Sequence, residues 1–144
     1  MFNLDLDSRL SEWAKLRRRI EDSPTPLVEV FEFWKSAPFV PFNNHVDPYF
    51  QRNWPTPWEI ISENRYDDFT KALMMAWSLK YTRRYEHTQI ELRTYVDKHK
   101  TIVYNVVVID EQHVLNFNDS GPVDLSAITD NFLLENLIEV VNRS

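Results

Sequence analysis

The spacing of the apolar residues changes once along the chain, near His87, and that change limits the fold more than any motif does. Before it, apolar side chains recur at intervals of three and four, as in Leu10, Trp13, Leu16 and Ile20, and again in Leu27, Val30, Phe31 and Trp34. After it they alternate, as in Ile90, Leu92, Thr94 and Val96. The first spacing keeps one face of a helix apolar and the second keeps one face of a strand apolar. The chain therefore reads as an α+β domain with its helices first. Its 144 residues fit a single domain spanning 1–144, large enough to bury a core without a disulfide or a metal.

Capping signals set the expected boundaries. Asp7 or Ser8 caps a first helix that runs to about Glu21, and Thr25-Pro26 opens a second that ends near Ala37. Thr56-Pro57-Trp58-Glu59 has the form of a capping box ahead of a short helix to about Glu63. Asp67 or Asp68 then caps a longer helix. Phe69, Ala72, Leu73, Ala76 and Trp77 form one stripe on it, and Met74, Met75 and Leu79 form a second. Two stripes mean burial on most sides, so this is the expected central helix. A three-stranded antiparallel meander should fill residues 88–117, with the β-branched run Thr101 to Ile109 as its middle strand and Val114 to Phe117 as its third. Asp130 caps an expected C-terminal helix, with Leu134, Leu137, Ile138 and Val141 at helical spacing.

Residues 38–55 show neither period. They hold Phe39, Phe42, Tyr49, Phe50 and Trp54 among prolines and asparagines. A connection of this length either wraps the core or presents a contact surface. As a contact surface, these five aromatics would anchor a protein partner.

Composition removes several function classes. Only one glycine occurs, Gly121, so neither GxGxxG nor GxxxxGK can be present. No cysteine occurs, which excludes thiol nucleophiles. The four histidines, His45, His87, His99 and His113, lack paired metal-ligand spacing, although His45, Asp47 and His87 could meet in space. No cofactor or metal is expected. The pair Asp67-Asp68 is explained by helix capping. No apolar run is long enough to span a membrane. With no cysteine and no signal-like start, the expected setting is a cytoplasm or an assembly built in one. The net charge of −6 is uneven: residues 110–144 carry seven acidic residues against Arg143, and the rest of the chain balances. That pattern does not favour a binder of nucleic-acid backbones. It fits an acidic contact surface with Glu135 and Glu139 on the last predicted element.

Two resemblances add to this reading. The segment from Asn64 to Leu73, followed by Tyr104-Asn105-Val106-Val107-Val108 and Val114-Leu115-Asn116-Phe117-Asn118, resembles the order of a transglutaminase-like (papain-type) core over residues 56–119. That family opens its central helix with a catalytic Cys, and a His and an Asp or Asn follow on successive strands. The resemblance puts the nucleophile position near Tyr66, the His position near Asn105, and the third near Asn116 or Asn118. The first two do not match, so no catalytic role carries over. The run from Trp54 to Ile61, ahead of Asn64 to Phe69, resembles small proteins of T-even-like contractile-tailed phages. Together they imply a non-catalytic particle component, such as a tail, baseplate or neck accessory, that binds phage structural proteins, in multiple copies where the assembly repeats. It would sit in the virion or the host cytoplasm. The competing expectations are an intracellular phage protein that inhibits a host factor through its acidic surface, and an enzyme of another type.

Overall fold

The computed structural model describes residues 1–142. Four helices come first: α1 (Leu6–Asp22), α2 (Pro26–Lys35), α3 (Pro57–Glu63) and α4 (Asp68–Lys80). Five strands follow: β1 (Ile90–Asp97), β2 (Val103–Ile109), β3 (His113–Leu115), β4 (Val123–Asp124) and β5 (Phe132–Glu139). They form one antiparallel sheet in the order β4-β3-β2-β1-β5. The α+β class holds, as does the meander of β1, β2 and β3.

The helices pack on one face of the sheet. Trp13, Leu16 and Ile20 of α1, Val30, Phe31 and Trp34 of α2, and nearly all of α4 share a core with Leu92, Val107, Ile109 and Leu115. Every residue of α4 from Phe69 to Lys80 except Lys71 is buried, as its two stripes required. Within this apolar helix, Ser78 serves both tryptophans of the neighbouring helices. Its hydroxyl oxygen accepts from Trp13 Nε1 and from Trp34 Nε1, each at 2.9 Å, and its proton goes to the Met74 carbonyl at 2.6 Å. A buried indole N–H needs an acceptor, and one serine supplies it to two elements at once. The other face of the sheet carries a smaller cluster of Tyr95, Val106, Val108 and Val114, against which Phe117, Val123, Leu125, Ile128 and Phe132 pack.

The boundaries refine the sequence reading. The first helix is capped by Asp5, whose carboxylate accepts the Ser8 amide at 2.8 Å, two or three residues ahead of the expected caps Asp7 and Ser8. The capping box forms as read: Thr56 Oγ1 accepts the Glu59 amide, and Glu59 returns a carboxylate oxygen to the Thr56 amide. With a single glycine, the turn between β2 and β3 puts Asp110 and Glu111 at φ 54° and 53°, the positive values that the tight hairpin turn requires. The third strand stops at Leu115 because Asn116 adopts φ 66°.

The C-terminal element is a strand, not a helix. β5 pairs with β1 along its whole length. The register shifts between Thr94 and Tyr95, so that Glu135 is an extra residue on β5, a β-bulge. The bulge puts Leu134 and Leu137, three apart, on the same face, with Leu134 opposite Tyr95 and Leu137 opposite Arg93. A bulged strand thus reproduces a helical spacing, and the alternation on either side of it is too short to signal a strand. β4 and a single helical turn at Leu125–Ala127 also lie in the region that the sequence left without structure.

Candidate functional site

The site is built where α4 meets the middle of the sheet, and two consecutive aspartates set it. Asp67 is the helix cap. Its Oδ1 accepts the Thr70 amide at 2.7 Å and the Thr70 hydroxyl at 2.6 Å. Its Oδ2 accepts the Asn43 amide at 3.0 Å, which ties the long loop to the helix. Asp68, one residue on, turns to the sheet. Its Oδ2 accepts from Asn105 Nδ2 on β2 at 3.1 Å, and its Oδ1 accepts from Asn116 Nδ2 at 3.2 Å, just beyond β3. Asn116 Nδ2 also donates to the Asn105 carbonyl at 2.8 Å, and Thr94 Oγ1 donates to Asn105 Oδ1 at 3.0 Å. A carboxylate can only accept, so it fixes which way both amides face. The trio orients a carboxylate. Its other two members are amides, which do not titrate.

An open cleft of about 270 Å³ lies over Asp68 and Asn105 of this trio. Asp68 and Asn105 line its floor, Phe42 and Tyr49 with Pro41 and Pro48 form one wall, and Val103 lies at the sheet side. The wall belongs to the loop 38–55, which is held at fixed points. Val40 N donates to the Tyr66 carbonyl at 3.0 Å, and Tyr66 N donates to the Pro38 carbonyl at 3.2 Å. Asn43 Nδ2 donates to the Arg65 carbonyl, and Val46 is buried. A short helical turn, Gln51–Asn53, leads into Trp54.

Of the five loop aromatics, Trp54 is core and not a contact residue. It is 2% exposed, its indole donates to the Asp47 carbonyl at 2.6 Å, and it packs on Phe69 and Trp77. The other four stand in solvent: Phe39 is 69% exposed, Phe42 67%, Tyr49 72% and Phe50 60%. The loop therefore does both things the sequence left open, wrapping the core at Val46 and Trp54 and exposing the rest.

The remaining sequence candidates separate. Tyr66 does not face the cleft. It is buried against Phe2 and Trp34, its hydroxyl has no hydrogen-bond partner among the described residues, and burial pushes the phenol well above its ordinary pKa. The helix residue that faces the strands is Asp68, two positions later. Asn118 closes a turn by accepting the Ser120 amide, so Asn116 is the member of the trio. Glu135 and Glu139 are exposed, but on the edge strand β5. His45 Nδ1 lies 2.9 Å from Glu63, and His87 lies beside Glu86. Among the described residues no group of three or more potential metal ligands comes together. On α1, Lys15 pairs with Glu12, Arg19 pairs with Glu29 of α2, and the Arg17 guanidinium stacks 4.2 Å from the Trp13 ring centre. Among the described residues no helix is long and apolar enough to cross a membrane.

Sequence reasoning missed the Asp68–Asn105–Asn116 trio as a unit. One signal was present: of two adjacent aspartates at a helix start only one can cap, so the other is free for a different partner. No known family model matches the chain, and no curated protein matches it.

Proposed function

We propose that the chain is a non-catalytic interaction protein that docks a protein partner across the cleft and its aromatic wall, and that it serves as a structural component of a tailed-phage particle, in the tail, baseplate or neck. The observation that carries the docking role is the exposure of Phe39, Phe42, Tyr49 and Phe50 on a loop whose backbone is pinned. Large aromatics left in water are unfavourable unless something covers them. Interfaces favour these residues because they bury much area at low entropic cost. A loop already fixed by Asn43, Val46 and Trp54 loses little freedom on binding.

The particle assignment draws on the resemblance of Trp54 to Ile61 and Asn64 to Phe69 to phage proteins. The amide trio suits a transglutaminase-like core used as a scaffold: the helix start, the second strand and the residue just past the third strand converge, but with carboxylate and amides in place of thiol and imidazole. A second reading, a phage protein that binds a host factor through acidic residues, draws on the exposure of Glu135 and Glu139.

Incorporation into particles tests the proposal. Mass spectrometry of purified particles should find the wild-type chain. Phe42→Ala and Tyr49→Ala should keep the wild-type melting temperature and lose incorporation. Absence of the wild-type chain from particles refutes the particle role. A large fall in melting temperature for both variants makes the loop a structural element and refutes the docking role.

A further inference from the structure

The two edges of the sheet differ. One is β4, only two residues long. The other is β5, eight residues long, whose outer side pairs with no strand among the described residues. An edge strand presents unpaired amides and carbonyls, and proteins usually blunt such an edge with charged side chains, proline, a β-bulge or brevity. β5, with the sequence Phe-Leu-Leu-Glu-Asn-Leu-Ile-Glu, is long and has neither lysine nor proline; its charges are confined to Glu135 and Glu139, and its bulge shifts the side-chain phase without ending the strand. Its leucines are half in solvent on both faces of the sheet: Leu133 is 50% exposed, Leu134 49% and Leu137 44%. This edge is separate from the aromatic cleft, and the inference does not depend on the proposed function.

We propose that β5 pairs antiparallel with β5 of a second copy of this chain, joining two five-stranded sheets about a two-fold axis. The occupant follows from the register. In an antiparallel pair, residues opposite one another lie on the same face. Leu133, Asn136 and Ile138 lie on the helix-bearing face, paired with Val96, Thr94 and Leu92. Phe132, Leu134, Leu137 and Glu139 lie on the other, paired with Asp97, Tyr95, Arg93 and Glu91. A two-fold axis between Glu135 and Asn136 sets Leu134 against Leu137 of the second copy on one face and Leu133 against Ile138 on the other.

Faces match on both sides of the axis only because the bulge shifts the phase by one residue. The same axis sets Glu135 opposite Asn136 and not opposite Glu135. An axis through Glu135 itself would oppose the two glutamates and would also mismatch the faces beyond them. The strand is thus self-complementary in apolarity at its two central pairs, as an isologous two-fold interface requires, and this axis sets no two glutamates directly opposite. The two Glu135 side chains remain diagonal neighbours near the axis, so their repulsion opposes association and is screened by salt.

Sedimentation of the full chain over a roughly hundredfold dilution tests the pairing by mass action. The wild type should be dimeric at the concentrated end, more so at high salt, and Glu135→Gln should shift the equilibrium further to dimer. Leu134→Lys should be monomeric with an unchanged circular dichroism spectrum. The chain has no cysteine, so Leu134→Cys with Leu137→Cys provides a second reading even if the lysine variant does not fold. Mild oxidation should give a disulfide-linked dimer on a non-reducing gel. The pair Leu133→Cys with Leu137→Cys, on opposite faces, should not. A wild type that stays monomeric at every concentration leaves the edge to another protein's strand and overturns the proposal. So does a dimer that survives Leu134→Lys.

Discussion

Replacing Ser78 by alanine removes a single oxygen and should unfold a substantial share of the molecules under mild denaturant. Both indoles that donate to it belong to residues with no exposed surface. Each indole N–H left without an acceptor in a buried site costs about 1–3 kcal/mol. Alanine recovers roughly 0.5 kcal/mol through better helix propensity, and the Met74 carbonyl loses only an accessory donor. The expected loss is therefore about 2–5 kcal/mol, against a total of about 5–15 kcal/mol for a domain of ordinary stability. Guanidinium titration followed by tryptophan fluorescence measures it. A double-mutant cycle assigns it: Trp34→Phe should cost less in the Ser78→Ala background than in the wild type, since its N–H no longer has a partner to lose. If Ser78→Ala lies within about 0.5 kcal/mol of wild type, the level of an ordinary surface change, the shared acceptor does not hold α1 and α2 to α4.

Two further substitutions separate the roles around the helix start. Tyr66→Phe deletes a buried hydroxyl that has no partner among the described residues and should leave stability unchanged or raise it by about 1 kcal/mol in urea titration, where a clear loss would reveal a bonding role. Because burial raises the Tyr66 pKa in the folded state, its contribution is fully present below about pH 10, where the unfolded phenol ionises, and is lost as the pH rises above that value. The phenylalanine variant should therefore unfold at higher pH in an alkaline titration than wild type does. Asp67→Ala removes the helix cap and the loop anchor together, and should cost about 2–4 kcal/mol and make the loop 38–55 protease-sensitive. A loss of only about 1 kcal/mol with the loop still protected would show that Asn43 does not need it.

The parts of the fold that were legible in the sequence are those fixed by neighbours in the chain. A capping box needs only residues three apart, and Thr56 and Glu59 formed it as read. The two stripes of the central helix needed only thirteen residues to declare burial on most sides. The parts that were not legible depend on distant partners or on a shift of phase. Asp68 meets Asn105 and Asn116 at separations of 37 and 48 residues, and nothing local marks either asparagine. The bulge at Glu135 turned a period-two strand into a helical spacing. Trp54 looked like its exposed neighbours because its burial comes from Phe69 and Trp77, which arrive later in the chain. Ser78 left a faint trace as the polar residue between Trp77 and Leu79 in a helix otherwise apolar at those positions.

The adjacent aspartates also explain why a loop so rich in exposed aromatics can keep a defined shape. Successive residues at a helix start point in different directions, so one carboxylate can hold the loop while the next holds the sheet. Asp67 fixes Asn43, and Phe42 is the residue immediately before it. Asp68 fixes Asn105, which lines the cleft opposite Phe42. The wall and the floor are therefore both referred to the first turn of one buried helix. That helix is held in turn by the Ser78 link to α1 and α2. Rigidity in this arrangement comes from the core outward, which leaves Phe42 and Tyr49 free of any structural duty of their own. A surface of that kind can change its aromatics without endangering the fold.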